Sequence, residues 1–94
     1  MASFIMAMSI NPNAKKSHKD LSTQIDQSLD LFGKTGVKAV KMYATLGRYD
    51  LLAVFESPDQ TTAFKVASAI NAAGILDTET WPVIPYEEFS ELIG

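Results

Sequence analysis

Ninety-four residues, 47 % of them apolar and only 20 % charged, describe a single folded domain, residues 1–94, and not a disordered tail. The net charge of −3 and the absence of any basic cluster argue against nucleic acid as a partner, since Lys15-Lys16, Lys38/Lys41 and Arg48 are short and interrupted. The lack of cysteine excludes disulfides and thiolate metal sites.

The first predicted element is a strand over Ser3 to Ile10. Phe4, Met6, Met8 and Ile10 share one face and Ile5 and Ala7 the other, so both faces need cover and the strand reads as central. Asn11-Pro12 ends it and supplies a helix start, with Asn11 as N-cap and Pro12 at the first helical position. The helix is expected over roughly Pro12 to Thr35, its stripe of Leu21, Ile25, Leu29 and Phe32 lying on the sheet and Gly36 closing it, with a loop through Lys16 as the alternative start because Asn13 and Ser17 weaken the early helical pattern.

Val37 to Glu56 reads as a β-hairpin turning around Leu46-Gly47-Arg48. Its first arm carries Lys38 and Lys41, which simple alternation puts on opposite faces and which suit an edge strand. The second arm, Leu51 to Phe55, has no polar residue, so Leu52 and Val54 face away from Leu51, Ala53 and Phe55 and the arm reads as central. Gly47 is expected to supply a backbone conformation costly to larger residues.

Ser57-Pro58-Asp59-Gln60 predicts a second helix start, with Ser57 as cap and Pro58 at the first position. The helix runs to Ala73, buries Ala63, Phe64, Ala67, Ile70 and Ala73, and stops at Gly74. A last strand is expected over Ile75 to Ile84, with Pro82 confining it to an edge. A short final helix would place Phe89 and Leu92 over the sheet edge.

The order βαβ–βαβ is that of an α+β, ferredoxin-like βαββαβ fold with a four-stranded antiparallel sheet and both helices on one face. The apolar residues Ile5, Ala7, Leu52 and Val54 then occupy the other face, and the chain has no further element to cover it. They are therefore the candidate dimer interface, and a homodimer or an assembly of dimers is expected.

Leu46-Gly47-Arg48-Tyr49-Asp50, followed by the apolar strand Leu51 to Phe55, resembles the motif of GYD domain proteins. The similarity extends to the first strand, the hairpin, the alanine-rich second helix and Thr78-Glu79-Thr80 ahead of an aromatic residue. The resemblance implies a small protein of the dimeric α/β-barrel group, in which sheets of two subunits pack together. That group includes monooxygenases, small-molecule-sensing domains and chlorite dismutase-like enzymes, and the resemblance transfers no catalytic residue.

Candidate ligand-site residues are His18, Tyr43, Tyr49 and Asp50, expected around a pocket between sheet and helices, with Gly47 and Arg48 forming the motif turn. A histidine near its ordinary pKa can relay a proton, and tyrosine hydroxyls can orient a ligand. The structural alternatives are a solvated His18 and Arg48, and an Asp50 that accepts backbone hydrogen bonds at a sheet end. Phe4, Tyr43, Phe55, Phe64 and Trp81 could frame an apolar or aromatic small molecule or serve as packing. Asp77 and Glu79 form only a two-carboxylate strand pair, short of a metal site, and neither a nucleophile elbow nor a phosphate loop is present. No cofactor and no metal is expected.

No run approaches the roughly 20 apolar residues of a membrane span, and Met1 to Ile10 has no cationic segment ahead of its apolar run, so no membrane partner and a cytoplasmic location are expected. Three functions remain open. They are a small-molecule-binding or sensory homo-oligomeric module, a cofactor-independent monooxygenase-like or isomerase-like enzyme, and a structural or partner-binding assembly subunit.

Overall fold

Alternation along two apolar strands sets the architecture. In the computed structural model, which describes residues 1–15 and 20–94, β1 (Ala2–Ile10) and β3 (Leu51–Ser57) are the central strands of a four-stranded antiparallel sheet. The strand order is β2-β3-β1-β4, with β2 (Lys38–Ala44) and β4 (Leu76–Val83) at the edges. The fold is the expected α+β ferredoxin-like arrangement. Pro82 sits on an edge strand, where its missing N–H costs no ladder bond on the outer side.

One face of the sheet carries the core. Phe4, Met6 and Met8 from β1 and Ala53 and Phe55 from β3 are buried against the helices. Phe55 stacks on Phe4 at 5.6 Å and meets the edge of Phe32 at 5.5 Å, so three distant segments share one aromatic cluster.

The helical layer begins as the sequence predicts. The Asn11 side chain accepts from the Asn13 N–H at 2.9 Å, capping α1 (Pro12–Lys15). Helix α2 (Leu21–Leu29) follows and tightens into a 3-10 turn over Asp30–Lys34. Gly36 then takes φ 91°, a left-handed conformation that lets the chain reverse into β2. His18 lies outside the described residues.

Helix α3 (Gln60–Ala73) departs from expectation at its start and on its face. The cap is Asp59, whose carboxylate accepts from the Thr62 N–H at 2.7 Å, and not Ser57, whose hydroxyl donates to the Asp59 carbonyl. The helix starts two residues later than expected, and its buried residues are Ala63, Val66 and Ile70, at the spacing of one helical face. Phe64, one position round from that face, is 66 % exposed, and Ala73 is exposed as well. Gly74 closes α3 with φ 80°, as a left-handed cap.

The first arm of the hairpin also differs from simple alternation. Lys38 lies opposite Glu56 and Lys41 opposite Val54, so three steps on β2 match two on β3. The extra residue is a bulge around Ala39, which has φ 54°. Its effect is to put both lysines on the open face and to turn Val40 toward the core.

Helix α4 (Tyr86–Ile93) does not close over the sheet edge, and none of its residues is buried. Phe89 is 47 % and Leu92 77 % exposed. Pro85, extended at φ −58° and ψ 146°, starts the helix clear of the core.

Candidate functional site

The residues of the motif turn are held by β1 and by one another. The Asp50 N–H donates to the Met8 carbonyl at 2.9 Å, and the Asp50 carboxylate accepts from the Ile10 N–H at 2.8 Å. The Thr45 N–H donates to the Asp50 carbonyl at 3.0 Å, and the Thr45 hydroxyl donates to the Tyr49 carbonyl while accepting from the Gly47 N–H. Asp50 is thus the sheet-end anchor. It serves backbone donors that would otherwise lack partners where the ladder ends. Gly47 is not among the described residues with positive φ, and a Cβ built there meets nothing nearer than the Thr45 hydroxyl at 3.9 Å, so the turn does not depend on its being glycine.

Because β3 begins only at Leu51, Tyr49 is free of strand alternation, and the turn carries its ring onto the open face of the sheet. There it meets two residues of β4 that alternation places side by side, Glu79 and Trp81. The Tyr49 hydroxyl donates to one Glu79 carboxylate oxygen, and the Trp81 indole N–H donates to the other at 2.9 Å. The Tyr49 and Trp81 rings pack edge to face at 6.0 Å, and the Arg48 guanidinium stands 5.9 Å from the centre of the Tyr49 ring.

These contacts set the protonation states. The hydrogen bond from Tyr49, then that from Trp81, holds the Glu79 carboxyl below the usual range, with Arg48 adding to the effect. The same bond to Glu79 raises the Tyr49 phenol above its ordinary value, with partial desolvation and the Glu79 charge acting in the same direction and Arg48 opposing. At neutral pH the proton stays on Tyr49 and the charge on Glu79. Tyr49 is a donor here and a poor general base.

A hollow of about 290 Å³ lies beside this cluster, lined by Ser9, Arg48, Tyr49, Asp77, Thr78 and Glu79. Ala7, paired with both Glu79 and Leu52, adjoins it on the sheet. Ile5, Ala7, Leu52 and Val54, the candidate interface, share this face, and Ile5 and Ala7 pair directly with Val54 and Leu52, but Ala7 is already fully buried within the chain, so only Ile5, Leu52 and Val54 are left partly exposed. Tyr43 lies on the same face but at the far edge, opposite Leu52 and 51 % exposed.

The sheet–helix pocket expected around Tyr43, Tyr49 and Asp50 is not where these residues lie, because Tyr49 and Tyr43 turn to the opposite face and Asp50 turns to the backbone. A different groove, of about 400 Å³, separates α3 from β4 and is lined by Phe4, Ala63, Phe64, Ala67, Thr80 and Pro82 among others. Small alanines on α3 leave it open, and the Thr80 hydroxyl is buried without a partner. Among the described residues no cluster of three or more metal-ligating side chains occurs, and no helix is long and apolar enough to cross a membrane.

In the sequence, Trp81 stands out only as an aromatic that could frame a pocket and Glu79 only as half of a carboxylate pair with Asp77, and nothing there joins either of them to Tyr49. Their spacing of two on a strand, which puts a carboxylate beside an indole N–H, is the signal that could have found them.

The fold and the motif define a small ferredoxin-like α+β protein. The GYD domain profile matches residues 4–93, and the chain belongs to the GYD domain family. Among solved structures, an ethyl tert-butyl ether EthD family protein from Bacillus halodurans C-125 is similar, with a TM-score of 0.54 and 14 % identity, covering 89 % of this chain and 100 % of that one. The C-terminal domain of the MgtC protein from Mycobacterium tuberculosis has a TM-score of 0.44 and 6 % identity, over 86 % of this chain and 85 % of that one. No curated protein matches the sequence.

Proposed function

We infer that the chain is a small-molecule-binding module that works as a homodimer, the open sheet faces of two copies enclosing the Tyr49–Glu79–Trp81 cluster. The observation that carries this reading is the placement of an oriented, ionised carboxylate beside the apolar centre of the open sheet face, formed by Ile5, Leu52 and Val54. An apolar surface with a few convergent polar groups is the usual composition of a ligand site. Ile5, Leu52 and Val54 gain cover when a second copy packs on them, which removes their apolar surface from water.

The cluster also selects a ligand class. A carboxylate offers about four acceptor positions, of which Tyr49 and Trp81 occupy one on each oxygen. The remaining positions accept from a hydroxyl or amine, and the neighbouring side chains favour an apolar or aromatic body. The ligand is therefore a small apolar or aromatic molecule with one hydrogen-bond donor.

Screening such compounds by calorimetry against the wild type, Tyr49→Phe and Glu79→Gln tests the reading. Binding that weakens at least tenfold in Glu79→Gln, in variants that still assemble, supports it. Equal affinity in all three removes the cluster from the site. Sedimentation of Leu52→Lys tests the dimer, since a charge in the centre of the open face should drive it to monomer.

A further inference from the structure

We propose that the groove between α3 and β4 is a second binding site, which takes an uncharged aromatic carbonyl compound, an aryl ketone or amide, on the Thr80 hydroxyl and the Asn71 amide. The groove encloses about 400 Å³, within the range of small-molecule sites. It is separate from the Tyr49–Glu79 cluster, because alternation along β4 sends Thr78, Thr80 and Pro82 to the helical side and Glu79 and Trp81 to the open side. It also lies apart from the middle of the helical layer, which Phe4, Phe55 and Phe32 fill with their own rings.

The polar groups of the groove ask for an acceptor. The Thr80 hydroxyl is buried without a hydrogen-bond partner. An unpaired buried hydroxyl destabilises the fold, and an acceptor brought in by a ligand removes that cost. The Asn71 side-chain oxygen accepts from the Thr78 N–H at 3.1 Å, which fixes the amide and leaves its NH2 group to donate. A carbonyl oxygen supplies what both groups need. The walls carry no ionisable side chain, so nothing there offsets the desolvation of a charged ligand, and the acceptor belongs to a neutral group.

The apolar walls select the body of the ligand. Further along β4 from Thr78 stand the paired Phe4 and Pro82, and Ala63 and Ala67 are too small to fill the space between helix and strand. Phe64 borders this space and is 66 % exposed. An aromatic side chain so placed packs little in the folded chain and offers its ring to a second ring. A peptide strand does not suit the groove. The outer edge of β4 has its Thr78 N–H occupied by Asn71 and has no N–H at Pro82, so an added strand would find a donor only at Thr80.

The test titrates the isotope-labelled intact chain with four probes built on one benzene ring, following its backbone amide signals by magnetic resonance. Acetophenone and benzamide carry a neutral carbonyl, ethylbenzene carries none, and benzoate is charged. The expected result is saturable shifts at Thr80, Asn71 and Ala67 with the two carbonyl probes. Ethylbenzene and benzoate should bind about fivefold more weakly or worse, the worth of one neutral hydrogen bond. Thr80→Val keeps the shape of the side chain and removes the hydroxyl. It should be at least as stable as the wild type and lose the preference for a carbonyl. Phe64→Ala should weaken every probe without unfolding the chain, and Glu79→Gln should change none of them.

Four results would overturn the assignment. They are no shift at the groove up to the solubility limit, shifts confined to the Tyr49–Glu79 cluster, equal binding of ethylbenzene or benzoate, and an undiminished carbonyl preference in Thr80→Val. A Thr80→Val chain less stable than the wild type would show that the hydroxyl already has a partner and would overturn it too. So would groove signals that shift on concentrating the protein without any probe, since a second copy would then be the occupant.

Discussion

The Tyr49 hydroxyl donates to the Glu79 carboxylate across 30 positions of sequence, tying the motif turn to the far edge strand over the open face of the sheet. Its first consequence is a titration. Tyr49 loses its proton above the ordinary tyrosine range of about 10, because ionising it breaks a bond to an anion. Its folded-state pKa is raised, so the stability it contributes is present below the unfolded value and is lost as pH rises through the folded one. Ultraviolet absorption during an alkaline titration should show one late phenol, which moves earlier in Glu79→Gln and disappears in Tyr49→Phe.

At the acid end the sign reverses. Glu79 and the helix cap Asp59, held low chiefly by the Thr62 N–H, both have depressed folded-state pKa values. Their contributions are present above the unfolded carboxylate range of about 4 and are lost as pH falls through the folded values. Melting temperature should therefore fall below about pH 4. In the Glu79→Gln, Asp59→Asn double variant the acid decline should be shallower, and an unchanged slope would count against both assignments.

Asp50 is predicted to matter through its acceptor and not its charge. Asp50→Ala leaves the Ile10 N–H without its partner and should cost about 1–3 kcal/mol by denaturant unfolding. Asp50→Asn keeps an oxygen there and should recover most of that. Equal losses in the two variants would mean that the charge itself is needed.

Two glycines and two phenylalanines separate positions that the backbone and core require from positions they do not. Gly74→Ala forces a left-handed residue and should cost about 1–2 kcal/mol, whereas Gly47→Ala should change stability by less than about 0.5 kcal/mol. Phe55→Ala empties the aromatic cluster and should cost about 3–5 kcal/mol, while Phe64→Ala, on an exposed position, should be nearly neutral.

Much of the fold was legible because alternation and punctuation agree. The unbroken apolar run Leu51 to Phe55 marks a central strand, Pro82 marks an edge, and Gly36 and Gly74 mark the reversals. What was not legible depended on single-residue offsets. Ser57 and Asp59 are both good caps two residues apart, and Ala63 and Phe64 are adjacent apolar residues of which only Ala63 lies on the buried face with Val66 and Ile70. An alanine with positive φ leaves no sign in sequence, so the bulge at Ala39 and the shared face of Lys38 and Lys41 could not be read. The candidate site suffered most, because Tyr49 meets Glu79 and Trp81 only once the register of β1, β3 and β4 is known.

Trp81, the single tryptophan, stands on the open face beside the cluster and reports its cover directly. The decisive measurement is Trp81 emission across micromolar dilution, with sedimentation on the same samples. A dimer that buries the open face predicts blue-shifted emission at high concentration, moving red in step with dissociation, and red at all concentrations in Leu52→Lys. Emission that stays red and constant while the protein remains assembled, or a monomer at every concentration, would contradict the account.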